Sequence, residues 1–325
     1  LSLLEISHRS KDFVAVMDEA RDLALELLNL KGKGYQALFL HGGASLEFLM
    51  VPYNLMKVDG KAAYLDTGTW ASAAIKEAKL FGEVTIIASS KDQNYNYIPK
   101  GFTVPNDVDY FHCTSNNTIF GTQIKEFPSV SVPMICDMSS DIFSRVLDFS
   151  KFDIIYAGAQ KNMGPAGVNL VVVNENILGK IKRPIPTIMD YRNHIAEGSM
   201  LNTPPVFAVY VCLLTLRWLK AQGGVAAIEK RNNEKAALLY KEIDSNPLFV
   251  NLIEKADRSK MNVCFVMKEE SLEKAFLDFA TSNGIIGIKG HRLSGGFRAS
   301  LYNALPLSSV QHLVEIMRAF TEMHN

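Results

Sequence analysis

The sequence predicts an α/β protein organised around a largely parallel sheet. Short apolar runs recur at 37–40, 62–65, 84–88, 133–136, 154–156 and 168–173, with longer helical stretches between them, the rhythm of strand–helix–strand units. The stretches between follow three- and four-residue apolar spacing. With 325 residues the chain also has room for two domains, one large and one small.

The first element is an amphipathic helix. Phe13, Val16, Met17, Ala20, Leu23, Ala24, Leu27 and Leu28 share one face, with Ser10 placed to cap it. The strand-like runs follow in the order given. The longest apolar stretch, 206–216, is followed by Arg217 and Lys220 and falls short of the roughly 20 residues of a membrane span, so a buried helix is expected. Gly223-Gly224 then opens a long helical pattern to about Ile243, suited to bridge two domains. Beyond it, 262–266 reads as a strand, 272–279 as a helix and 297–301 as a strand. Ser308 with Gln311 three residues on predicts a capped start to a last helix carrying Val310, Leu313, Val314 and Met317 on one face. Neither internal repeats nor low-complexity segments are visible.

The 34 basic and 34 acidic residues balance, which speaks against nucleic acid or an anionic membrane surface as partner. Any anion must be caught locally. Cys113, Cys136, Cys212 and Cys264 are scattered without a CxxC pair, arguing against a metal site or disulfide framework and for a reducing compartment. The sequence starts at Leu1 rather than Met, so a targeting segment stays an open question.

The chemistry concentrates at 153–167, where an apolar strand runs into small residues and presents Lys161 before a glycine-rich turn. Small neighbours leave room for a planar cofactor, and a lysine amine of lowered pKa attacks aldehydes; a Schiff base to pyridoxal phosphate is the commonest such use. The alternative is a solvated turn lysine. Asp137 stands at the carboxyl end of the 133–136 run, the edge where open α/β sheets bind ligands. There it either caps the next turn or faces a protonated pyridine nitrogen. Gly42-Gly43-Ala44-Ser45 leads into a helical stretch, which places free N–H groups for a phosphate. Thr67-Gly68-Thr69-Trp70 likewise follows a strand, with Trp70 either flat against a ring or packed in the core.

These segments, with Ile6-Ser-His8-Arg9, Asp137-Met-Ser-Ser, Gly158-Ala-Gln160-Lys161-Asn, Asn202-Thr203-Pro and Gly290-His291-Arg292, resemble the phosphoserine aminotransferases over nearly the whole chain. The resemblance implies the fold-type I, class V architecture. That is a large pyridoxal-phosphate domain with a mostly parallel seven-stranded sheet, here placed at 1–228, and a small C-terminal α/β domain at 229–325, paired in a homodimer with shared active sites. It implies that Ala44, Ser45 and Gln160 hold the cofactor phosphate, and that Trp70 stacks on the ring. Thr118 meets its hydroxyl side, Asp137 pairs with its nitrogen, and Asn202 and Thr203 reach the phosphate from the neighbouring subunit. By the same resemblance Arg298 takes the substrate α-carboxylate, while His8, Arg9, His291 and Arg292 receive the distal phosphate or carboxylate; a surface charge is the alternative for Arg9.

The implied activity is a ping-pong transfer of the amino group from L-glutamate to 3-phosphohydroxypyruvate in cytoplasmic serine biosynthesis, with Lys161 as tether and general base. Two departures stand out. Many members carry arginine where this chain has Ser45, and the family's opening Ala-Gly-Pro segment, which lies near the active site, does not occur in this sequence; contact with the substrate phosphate and an intact site edge are both open on those grounds. Rival readings are an alanine–glyoxylate or serine–glyoxylate aminotransferase, a desulfurase, or a catalytically silent binding relative.

Overall fold

The computed structural model describes residues 2–324. The bounds Leu1 and Asn325 of the two expected domains lie outside the described residues. In chain order the elements are α1 (Lys11–Leu27), β1 (Tyr35–Leu40), α2 (Gly43–Leu55), β2 (Lys61–Asp66), α3 (Thr69–Ala78), β3 (Glu83–Ser89), β4 (Tyr110–Thr114), β5 (Asn116–Asn117), β6 (Thr122–Gln123), β7 (Met134–Asp137), β8 (Ile154–Gly158) and β9 (Asn169–Asn174). They continue with α4 (Tyr191–Ala196), α5 (Val206–Ala221), α6 (Gly224–Ser245), β10 (Phe249–Val250), β11 (Asn262–Met267), α7 (Glu273–Ser282), β12 (Phe297–Ser300) and α8 (Leu307–Glu322).

Among the described residues, seven strands form the main sheet in the order β1-β9-β8-β7-β4-β2-β3. Strands β8, β7, β4, β2 and β3 run parallel, and β9 is antiparallel to both its neighbours. The expected α/β class with a mostly parallel sheet is therefore present. Its centre holds one strand missing from the periodicity reading: β4, Tyr-Phe-His-Cys-Thr, is fully buried but broken by His112, which interrupts the apolar run a buried strand otherwise shows.

Helix α1 forms as expected, with the Ser10 hydroxyl accepting from the Phe13 amide at 3.4 Å. Phe13, Met17, Ala20 and Leu23 of α1 pack with Val209, Cys212, Leu213 and Leu216 of α5 over one face of the sheet. Helices α2 and α3 cover the other face through Phe48, Val51, Ala74 and Ile75. A third core joins α7, α8 and the antiparallel sheet β10-β11-β12. Helix α6 runs between cores, burying Val225 and Ile228 in the first and Ala236, Leu239 and Ile243 in the third.

Two expectations need correction. Helix α5 is not buried all round, since Phe207 is 56% and Leu214 40% exposed on its outer face. Among the described residues no single helix is long and apolar enough to cross a membrane, and α5 meets α6 at 82°. Helix α8 starts one residue before Ser308, behind Pro306 and without a side-chain cap. The fixed φ of that proline, −71°, already sets the chain for helix entry.

Candidate active site

The candidate residues collect at the carboxyl edge of the parallel strands, where strand ends and helix starts converge. Strand β7 ends on Asp137, β4 ends on Thr114, and β8 ends at Gly158 just before Gln160 and Lys161. In register, Thr114 pairs with Asp137 and Asp137 with Tyr156. One cavity is lined by Ala44, Ser45, Trp70, Thr118, Asp137, Gln160 and Lys161, so seven of the expected cofactor residues meet there. They come from five separate stretches of chain.

Local sequence explains each placement. Gly42 and Gly43 take φ of +86° and +63°, the left-handed turn that lets the chain leave β1 and begin α2 at once. The first-turn amides of α2 have no partner within the helix, and its dipole favours negative charge there. Gly158 is needed for another reason: a Cβ there would stand 2.7 Å from the Gln160 Oε1 atom, so only glycine lets the glutamine fold back. Trp70, in the first turn of α3, is 38% exposed, which rules out the core-packing alternative and leaves its ring available at the cavity.

The Lys161 amine donates to the Thr118 hydroxyl at 3.1 Å. Its pKa is lowered, chiefly by burial and further by the Arg298 charge, against the opposing pull of Asp137 and Asp141. That shift favours the neutral, nucleophilic amine. Asp137 is buried, and burial pushes its carboxyl up, while the Ser139 amide at 2.9 Å and the Lys161 charge hold it down. Both the amide and the hydroxyl of Ser115 donate to the Asp137 carbonyl, at 3.0 and 3.1 Å.

Three lining residues escaped the sequence reading: Phe48, Thr114 and Asn116. A signal for Thr114 existed, because it ends a strand as Asp137 does and stands just before the polar run Ser115-Asn116-Asn117. Its hydroxyl is buried without a hydrogen-bond partner among the described residues, a donor left over for a bound molecule.

Other expected residues do not line this cavity within one chain. Arg298, on β12 of the small sheet, is near enough for its charge to act on Lys161. His8 and Arg9 precede α1, which covers the opposite face of the main sheet from α2. His291 and Arg292 occupy the turn before β12, where the His291 Nδ1 accepts from the Leu293 amide at 3.2 Å. Asn202 and Thr203 are exposed ahead of α5, and the Thr203 carbonyl lies 2.7 Å from the His41 Nε2.

A family model described as aminotransferase class-V matches residues 2–313. The chain belongs to the class-V aminotransferases. Among curated relatives it is 69% identical to the phosphoserine aminotransferase of Flavobacterium johnsoniae, over 98% of this chain and 90% of the relative. Among solved structures, a phosphoserine aminotransferase from Bacillus circulans subsp. alkalophilus superposes with a TM-score of 0.97 at 42% identity, covering 100% of this chain and 91% of that one. A phosphoserine aminotransferase from Trichomonas vaginalis with PLP bound gives a TM-score of 0.92 at 37% identity, covering 98% and 91%. Within the class-V aminotransferases the chain thus falls among the phosphoserine aminotransferases.

For a class-V aminotransferase the cavity fits pyridoxal phosphate. It offers an amine, a buried carboxylate, an aromatic face, two helix starts and an unpartnered hydroxyl within one enclosure.

Proposed function

We propose that this chain is a pyridoxal 5'-phosphate enzyme moving the amino group of L-glutamate to 3-phosphohydroxypyruvate, giving O-phospho-L-serine and 2-oxoglutarate. The observation that carries this reading is the shared enclosure of Lys161 and Asp137 beneath the start of α2. The likeness to phosphoserine aminotransferases along almost the entire chain supports the choice of substrates.

In this reading the amides of Ala44 and Ser45 with the Gln160 side chain hold the cofactor phosphate, Trp70 covers the ring, and Thr118 meets the ring hydroxyl. When bound, the cofactor supplies an electron sink for the pair of electrons left by removal of the substrate Cα proton. Asp137 keeps a negative charge at the ring nitrogen, sustained by the Ser139 amide. Lys161 Nζ anchors the cofactor between turnovers, takes the Cα proton when released, and returns it on the other side of the transfer. Its lowered pKa, due first to burial, serves both roles. Arg298 binds the α-carboxylate through a charged fork.

We further infer a homodimer in which Asn202 and Thr203 serve the neighbouring site and His8, Arg9, His291 and Arg292 gather around the distal anionic group. Support comes from the exposed Phe207 and Leu214, seven residues apart on one face of α5, directly after Asn202 and Thr203. The two-domain division at about residue 228 rests on α6 changing cores along its length. A place in cytoplasmic serine biosynthesis follows from the substrates and suits the scattered cysteines.

The test is phosphoserine formation from glutamate with added pyridoxal phosphate, offering 3-phosphohydroxypyruvate, pyruvate and glyoxylate in competition. Strong preference for the phosphorylated acceptor, suppressed by inorganic phosphate, is expected despite Ser45. Preference for pyruvate or glyoxylate overturns the substrate assignment.

A further inference from the structure

The segment 116–121 lies between the cofactor cavity and the small sheet, and both of its sides are occupied. On one side Thr118 receives the Lys161 amine, and Asn116 lines the cavity beside Ser140. On the other side stands one face of the antiparallel pair β11 and β12. Asn262 pairs with Ser300 and Cys264 with Arg298 in register. Alternate residues of a strand share a face, so Asn262, Cys264, Arg298 and Ser300 point the same way, while Val263, Phe265, Phe297 and Ala299 fill the small-domain core. The polar face meets the segment directly, with the Cys264 Sγ 3.4 Å from the Ile119 carbonyl.

Asn116 is the hinge of this contact. Its amide nitrogen donates to the Ser140 hydroxyl at 2.8 Å and to the Asn262 Oδ1 at 2.9 Å. Its Oδ1 accepts from the Ser259 hydroxyl at 2.5 Å. Asn262 in turn donates to Ser300 and to the Tyr302 hydroxyl, each at 3.2 Å. Asn116, Ser140, Ser259 and Asn262 are all buried, and buried polar groups with matched partners set geometry sharply because every lost bond leaves an unsatisfied group. Gly121 closes the other end of the segment: at φ +80°, a Cβ there would lie 3.0 Å from Cys264 and 3.1 Å from the Asn262 carbonyl oxygen.

We propose that Asn116 is a positioning residue that sets the reach of Arg298 to the reacting centre by fixing the β11–β12 face against the cofactor cavity. Asn116 touches neither substrate carboxylate nor transferred proton in this scheme. It acts through Asn262 and Ser259, holding the strand pair from which Arg298 projects. Displacement of a binding group by about an ångström weakens productive binding of the substrate far more than it disturbs the cofactor. The inference deepens the proposed function and rests on Arg298 as the α-carboxylate site.

A double-mutant cycle on the holoenzyme separates the two ideas. Asn116→Ala is expected to raise KM for glutamate about tenfold with kcat altered less than about threefold, and to raise it less than about twofold in an Arg298→Ala background. In Ser259→Ala, a position outside the cavity lining, the visible absorbance of bound cofactor and its pH midpoint are expected to stay as in the parent. Ser259→Ala, which removes one bond from the small-domain side alone, shifts KM the same way by about threefold and serves if Asn116→Ala folds poorly. Additive effects of Asn116→Ala, or of Ser259→Ala in its place, with Arg298→Ala overturn the positioning role while leaving the proposed function intact. An Arg298→Ala variant with unchanged glutamate KM overturns the carboxylate site itself, and the inference with it.

Discussion

The Gly158 amide donates to the Ser139 hydroxyl at 3.2 Å. Through that bond the strand leading to Lys161 is tied to the turn that follows Asp137, and the Ser139 amide binds the Asp137 carboxylate at 2.9 Å. A single serine therefore holds the strand end before Lys161 and the Asp137 carboxylate in fixed relation.

Replacing the lysine removes the proposed nucleophile but little else, because Lys161 makes one side-chain hydrogen bond, to Thr118. Lys161→Ala is expected to cut turnover by at least about 10³-fold while the protein still folds. Steady-state turnover, compared with a thermal melt of the same sample, checks both halves. Near-parental turnover would remove Lys161 from the mechanism.

Gly42 joins β1 to α2 at φ +86°, and a Cβ there would stand 2.6 Å from Leu46 Cδ2. Gly42→Ala forces the first turn of α2 to shift, and the expected result is cofactor affinity lower by about tenfold with a stability loss of about 1 kcal/mol or more. Equilibrium dialysis of pyridoxal phosphate measures the first effect. Unchanged affinity would show that the start of α2 does not hold the phosphate.

Glu47, in the second turn of α2, is buried, accepting from Asn169 at 2.7 Å and from the Tyr191 hydroxyl at 2.5 Å. Burial pushes its carboxyl up from 4.5 to about 7. The folded state thus holds a proton that the unfolded chain has lost, so its contribution to stability is full below about pH 4.5, declines as pH rises, and is lost above about pH 7. Glu47→Gln lacks this dependence. Its stability relative to the parent is expected to rise between about pH 5 and about pH 8, by at most about 3 kcal/mol, in paired denaturant titrations of the apoprotein. A difference that stays flat with pH would mean that Glu47 is ionised in the fold.

Lys235 of α6 donates to the carbonyls of Leu301, Tyr302 and Leu305 at 3.0, 2.8 and 3.1 Å. Those carbonyls lie in the chain that joins β12 to α8. Lys235→Met leaves them unpaired, with an expected loss of about 2–4 kcal/mol. Calorimetry of the variant decides the matter, and a loss below about 0.5 kcal/mol would contradict it.

Much of the site was legible because its parts are local. A glycine pair before a helical pattern marks a helix N-terminus wherever the helix goes, Asp137 follows an apolar run directly, and Lys161 follows another after the short stretch Ala157-Gly158-Ala159-Gln160. Period and turn chemistry act over a few residues, so the α/β class, the capped α1 and these residues could be read from order alone.

Tertiary structure decided what depends on neighbours distant in sequence. β4 lies in the middle of the sheet although His112 breaks its apolar run, because the imidazole finds the Tyr156 hydroxyl at 2.7 Å and so can be buried. Thr114 faces the cavity through its register with Asp137. Asn116 meets Asn262 across 146 residues, a pairing set by how the small sheet packs on the large one. Spacing along a chain carries local geometry, but which polar groups satisfy one another in the interior is settled only when the sheet order brings their strands together.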